Sequence, residues 1–260
     1  MDRREFLTVA GTVGVAAGVS VGTDAFAEDS TPREYYELRQ YSFDSQEQAD
    51  AFHDPAAKVV LPALNRAGIS PVGVFVPVDA YTPVYLLLRH ASLESFVTLK
   101  SRLLADQEFL DQGASFLNVD YTAPTFARIQ SSLLVAFTGM PQLETPAQGP
   151  DRVFQLRTYE SPTLVAAQVK IEMFNQAEID IFRRCGVNPV FFGETLAGAA
   201  MPNLTYMVGF GSVDAQTAAW NTFRAHPDWK ELSSRPEYAK KNLVSNITNV
   251  VLKPAAYSQI

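Results

Sequence analysis

The string Tyr36-Glu37-Leu38-Arg39-Gln40-Tyr41 returns 118 positions later as Phe154-Gln155-Leu156-Arg157-Thr158-Tyr159. The same offset carries Gly68 onto Gly186, Pro71 onto Pro189 and Val72 onto Val190. Further on, Tyr85 aligns with Tyr206 at an offset of 121 and Phe109 with Trp229 at 120, so only short loop insertions separate the copies. Periods of about 20–50 residues mean solenoids. A period this long means that one small domain is built twice.

Each copy reads strand, helix, two strands, helix, strand. In the first, a strand over 35–43 places Tyr36 and Leu38 on one face and Arg39 and Tyr41 on the other. Asp44 and Ser45 offer caps to a helix over 46–67, which Pro55 and Pro62 are predicted to interrupt and Gly68 to end. Strands follow over 71–77 and 84–89, a second helical region over 92–112, and a last strand near 125–129. The second copy repeats this order. Its strand is expected over 153–159, followed by a helix opened by Ser161-Pro162 and stopped by Gly186, and by strands over 189–194 and 204–210. A helix capped by Asp214 and a strand over 248–252 complete it. This is the split βαβ, or ferredoxin-like, order. The fold class predicted is therefore α+β, with two tandem ferredoxin-like βαββαβ units packed sheet to sheet. The first unit spans 34–138, a proline-containing linker 139–151, and the second unit 152–260. Leu38 and Leu156 are expected under the helices. The opposite parity of a strand then sends Tyr41 and Tyr159 to the enclosed faces.

The first residues do not belong to this fold. Arg3 and Arg4 precede a mild apolar run, and Ala25-Phe26-Ala27 supplies the small-x-small pattern that a signal peptidase cuts. Residues 1–27 read as a twin-arginine export signal and predict a periplasmic or secreted protein with no transmembrane segment after cleavage. The net charge of −7 argues against nucleic acid as a partner. The single cysteine, Cys185, excludes an intrachain disulfide and reads as filler of a small apolar site at a helix end.

Glu37-Leu38-Arg39-Gln40-Tyr41, Gly186-Val187-Asn188-Pro189-Val190-Phe191-Phe192, Pro202-Asn203-Leu204-Thr205-Tyr206-Met207 and the element Trp220, Phe223, His226-Pro227-Asp228-Trp229 resemble the NIPSNAP family. The resemblance covers nearly all of the mature chain and is most specific over 152–260. It implies the dimeric α+β barrel superfamily, in which paired ferredoxin-like sheets enclose an apolar cavity. Relatives of that barrel include cofactor-independent monooxygenases and haem-degrading enzymes, a kinship of fold that does not establish function. The family is better known from mitochondria, and the export signal departs from that setting.

The residues that carry chemistry are few. His53, His90 and His226 show no metal-ligand spacing, and no nucleotide or hydrolase motif occurs, so neither cofactor nor metal is predicted. His226, between Phe223 and Trp229, reads as a cap ahead of a general base. Arg39 and Arg157, with Tyr41 and Tyr159 beside them, could hold an anion through bidentate guanidinium contacts. The competing expectation is that each arginine pairs with a carboxylate, Glu37, Glu160 or Glu178, because a buried charge must be paired. Lys170, Phe174 and Glu178 fall four apart and share one helical stripe. The ligand-binding set predicted is Arg39, Tyr41, Arg157, Tyr159, Tyr206 and Trp220, with Glu178, His226 and Tyr159 as the catalytic candidates. Three functions fit: a binding protein for a small apolar, aromatic or anionic ligand; a cofactor-independent, monooxygenase-like enzyme acting on an aromatic or polyketide-like compound; or a structural protein with a filled barrel. A homo-oligomer is compatible with each.

Overall fold

The computed structural model describes residues 31–146 and 149–260. Residues 1–27, expected to be an export signal, lie outside the described residues. The first half runs β1 (Tyr35–Ser42), α1 (Gln46–Pro55), a π-helical turn (Ala56–Val60), α2 (Leu61–Arg66), β2 (Val72–Pro77), β3 (Val84–His90), α3 (Leu93–Ala105), α4 (Gln107–Gln112), α5 (Ala114–Leu117) and β4 (Arg128–Ala136). The second runs β5 (Val153–Glu160), α6 (Leu164–Met173), a π-helical turn (Phe174–Glu178), α7 (Ile179–Arg184), β6 (Asn188–Ala197), β7 (Asn203–Phe210), α8 (Val213–Ala225), α9 (Pro227–Ser234), a 3-10 turn (Pro236–Tyr238), α10 (Lys240–Leu243) and β8 (Asn246–Pro254).

Local chemistry explains the punctuation. Ser45, Ser92, Thr163 and Ser212 each stand in extended backbone and accept a hydrogen bond from the N–H three residues on, which begins α1, α3, α6 and α8. Ser212 thus takes the capping role expected of Asp214. Gly68 and Gly186 both adopt φ 77°, the left-handed conformation that ends a helix and favours glycine. Pro55 and Pro62 do not break the first helical run, because the π turn between them absorbs the missing backbone donors. The second half carries a π turn at the same offset of 118 without a proline, so the turn belongs to the repeat. The last strand of the first half runs from Arg128 to Ala136, overlapping the expected 125–129 only at its start. Its pairing with β1 requires the apolar run Leu133–Ala136, which brings Tyr36 opposite Leu134.

The eight strands among the described residues form one antiparallel closed barrel in the order β1-β3-β2-β8-β5-β7-β6-β4. Each half contributes four strands in the same order, β4-β1-β3-β2 and β8-β5-β7-β6. Their edges join by hydrogen bonding along β2–β8 and β4–β6. Closure leaves no unpaired edge strand. The segment expected as a loose linker is tied down: Met140 is buried, the Leu143 N–H donates to Glu34, and Arg183 forms a two-pronged ion pair with Glu144.

Strand parity is the reverse of the sequence expectation. Tyr36, Leu38, Phe75, Leu87, Phe154, Leu156, Phe191, Met207 and Leu252 form the apolar core inside the barrel. Tyr41 packs outside it with Phe52 and Leu99 of the first helical layer, and Tyr159 with Phe174 and Phe182 of the second. The physical reason lies in the neighbours that share each face. Glu37 and Arg39 alternate with Tyr36 and Leu38, and a barrel filled with Phe and Leu has no water for an ion. The charges therefore face outwards, where helix ends admit solvent. The Tyr85–Tyr206 match is off by one for the same reason. Pairing sets Arg39 opposite Leu86 and Arg157 opposite Tyr206, so Tyr85 points into the barrel and Tyr206 out of it.

Candidate functional site

The apolar cavity expected within the barrel is occupied by side chains. Beside that core the interior keeps a recess of about 180 Å³, lined by Gln40, Ser132, Thr158, Thr195, Asn203, Thr205 and Thr248 among others. A larger pocket of about 350 Å³ lies outside the barrel, between the second half's sheet and its helical layer. β5 supplies Arg157 and Tyr159 to its floor; α6, α7 and α8 supply Lys170, Met173, Phe182, Trp220 and Phe223; and Trp229, Tyr238, Leu243 and Ile247 close the far wall. That volume is in the range of small-molecule sites, and so is the composition, apolar walls with few polar groups.

Four of the six predicted ligand residues, Arg157, Tyr159, Tyr206 and Trp220, gather here. Tyr206 sits just behind the wall, and its hydroxyl lies 3.0 Å from that of Tyr159. Arg39 and Tyr41 are elsewhere, under the first half's helices, where Tyr41 packs on Phe52 and Phe126. His226 caps α9, its Nδ1 accepting from the Asp228 N–H at 3.2 Å. It does not line the pocket, and the capping expectation holds. Cys185 is buried at the end of α7, and burial pushes its thiol up, away from reactive thiolate behaviour.

Lys170 and Glu178 form a buried ion pair at the pocket wall, Nζ to Oε2 at 2.6 Å. In a regular helix eight residues advance about 800°, which would leave the two side chains roughly 80° apart. The π turn absorbs one residue and brings them into line, with Lys170 Nζ 4.4 Å from the centre of the Phe174 ring. Burial pushes the Glu178 carboxyl above its ordinary value, and the charges of Lys170 and Arg157 offset this only in part. In the first half the positions of Lys170, Phe174 and Glu178 are held by Phe52, Ala56 and Val60. The ion pair is therefore peculiar to the second half, and it stands out only when the copies are aligned.

The two arginines differ in the same way. Arg39 donates from Nε and Nη2 to Glu37 at 2.6 and 2.9 Å, as the pairing expectation had it. Burial would raise the Glu37 carboxyl. His90, with Nε2 3.6 Å away, Arg39 and the Ser131 hydroxyl at 2.8 Å together outweigh burial and hold it at about 2. Among the described residues, no carboxylate hydrogen-bonds to Arg157. Glu178 is taken by Lys170, and Glu160 accepts from Asn246. The Nε of Arg157 is buried without a hydrogen bond, and its guanidinium lies 5.4 Å from the centre of the Tyr159 ring and 5.2 Å from that of Trp220. Gln155 stands where the first half has Glu37. Its Oε1 accepts from Trp220 Nε1 at 2.6 Å and Gln216 Nε2 at 3.1 Å, and its Nε2 donates to Asn249 at 2.6 Å.

Fold and site together define a closed α+β barrel protein with an aromatic-walled pocket between its second sheet and the overlying helices. Residues 154–259, in the second half, match the NIPSNAP family model. No curated protein matches the chain. Among solved structures, it is similar to a candidate monooxygenase from Lactobacillus acidophilus, with a TM-score of 0.58 and 10% identity over 85% of this chain and 94% of that one. A candidate monooxygenase from Fusobacterium nucleatum gives a TM-score of 0.55 and 8% identity over 86% and 93%. An anthrone oxidase-like protein gives 0.51 and 12% identity over 87% and 93%. These likenesses show the fold alone, an α+β architecture with an antiparallel sheet. Among the described residues no cluster of three or more His, Cys, Asp or Glu could hold a metal ion, and no helix is long and apolar enough to cross a membrane.

Proposed function

We propose that the protein binds a small, flat, largely apolar aromatic molecule in the pocket of its second half. The two halves act as tandem ferredoxin-like units, a reading supported by their identical strand order. The first is the structural partner that closes the barrel, and the second carries the site. The observation behind this is the pocket itself: about 350 Å³, walled by Tyr159, Phe182, Trp220, Phe223, Trp229 and Tyr238, with aromatic faces set for stacking. Export through the twin-arginine route belongs to the same proposal, and replacing Arg3 and Arg4 by Lys should hold the precursor in the cytoplasm.

The test is calorimetric titration with 2-naphthoate, 2-naphthamide and a saturated carboxylate of similar volume. Binding of the naphthyl compounds supports the reading, provided that Ser233→Trp, which fills the pocket mouth, weakens it. Equal binding of all three, or of none, sinks it.

A second reading, a cofactor-independent oxygenase, draws on one feature of the site. The buried Glu178, with its carboxyl pushed up, stands beside the hydroxyl pair of Tyr159 and Tyr206, where a base could take a proton from a bound phenol or carbon acid. Oxygen uptake with an anthrone as substrate, lost in Glu178→Gln, would favour it over simple binding.

A further inference from the structure

Chain duplication has left two versions of one arginine site, and comparing them names the group that the second lacks. Strand pairing sets Arg39 opposite Ser131 and Arg157 opposite Asn249, so the sites superpose strand for strand at the offset of 118. In the first, the Glu37 carboxylate fills the Nε–Nη2 edge of Arg39 and accepts from Ser131. In the second, neutral Gln155 is held away by Trp220, Gln216 and Asn249, and the Nε of Arg157 is buried with no partner. A buried guanidinium Nε without an acceptor is costly to keep, and the ring contacts to Tyr159 and Trp220 do not supply one. Arg157 itself lines the aromatic pocket.

We infer that the pocket's ligand is an aromatic carboxylate whose carboxylate docks on the Nε–Nη2 edge of Arg157, as Glu37 docks on Arg39, and that Gln155 keeps this edge open. The inference rests on the aromatic-pocket reading and adds its charged anchor and its specificity-determining residue. Glu at position 155 would be an internal occupant. Trp220 and Gln216 could still donate to it, and rotation of the Asn249 amide would present a donor there too, so the fold tolerates the change while the ligand meets a neutralised site.

The probes are 2-naphthoate and its neutral isostere 2-naphthamide, titrated into wild type, Q155E and R157Q. Wild type is expected to prefer the carboxylate by about ten- to a hundredfold, the worth of a charge-assisted hydrogen-bonded pair. Q155E and R157Q are expected to lose the preference, read in each variant as the ratio of its carboxylate affinity to its amide affinity. Should Q155E fail to fold, R157Q alone decides. A carboxylate preference retained in either folded variant, or absent in wild type that binds both probes, overturns the inference and leaves the aromatic pocket standing. Wild type that binds neither probe overturns the aromatic-pocket reading and this inference with it.

Discussion

Replacing Arg39 and Arg157 by alanine makes one chemical change at two matching positions, and the structure demands different results. Arg39→Ala strands Glu37, which is 4% exposed and keeps only the Ser131 hydroxyl as a close donor. Breaking a buried pair by removing one member costs on the order of 3–5 kcal/mol. At roughly 2–4 °C per kcal/mol for a domain of this size, the melting temperature should fall by about 6–20 °C. Arg157→Ala strands no carboxylate. It removes contacts to the Tyr159 and Trp220 rings, worth about 0.5–1 kcal/mol each, and it relieves an unpartnered Nε whose desolvation costs about 1–3 kcal/mol. The net lies between about 1 kcal/mol lost and about 2 kcal/mol gained, so the melting temperature should fall by no more than about 4 °C or rise by up to about 8 °C. Differential scanning calorimetry at pH 7 without added ligand reads both. An Arg157→Ala loss as large as that of Arg39→Ala would mean that Arg157 is structurally paired, and the anchor argument would fail.

Three other outcomes follow from the same structure. Because the Glu37 carboxyl is held at about 2 against an ordinary 4.5, its contribution of about 3 kcal/mol is present above pH 4.5 and lost as pH falls towards 2. Urea titrations across that window should show a shallower acid loss in Glu37→Gln than in wild type. Lys170→Met alone leaves Glu178 buried and unpaired and should destabilise strongly, whereas Lys170→Met with Glu178→Leu should recover wild-type stability or better in the same titrations. Gly186→Ala should cost about 1–2 kcal/mol through its left-handed backbone alone, since the added methyl would meet only an ordinary contact with Ala219 at 3.8 Å.

Much of the architecture was legible in the repeat. Strand and helix order, the glycines that end α2 and α7, and the joining of two four-stranded sheets all follow from a 118-residue offset and local capping chemistry. Strand facing was not. Both parities of β1 and β5 carry large apolar groups, Leu38 against Tyr41 and Leu156 against Tyr159. The decision belongs to tertiary context, in which the interior of the closed barrel cannot take Glu37 or Arg39. The site was half legible. Arg157, Tyr159 and Trp220 are recognisable as chemistry-bearing residues, and Lys170 with Glu178 as a stripe. The π turn that brings this pair into contact leaves no mark in the residue pattern. The change from Glu37 to Gln155 is plain in the aligned copies, yet it acquires meaning only once both positions are seen beside their arginines. Trp229, Tyr238, Leu243 and Ile247 arrive from short helices and a strand whose closure over the pocket is a long-range packing event.

The most direct test of the account is a crystal structure of the protein with 2-naphthoate. The account predicts the naphthyl rings in the second half's pocket, among Tyr159, Trp220 and Trp229, with the carboxylate within hydrogen-bond reach of Arg157 Nε. Ligand density in the barrel recess beside Thr158 and Thr205, or in the pocket with its carboxylate turned away from Arg157, would contradict it.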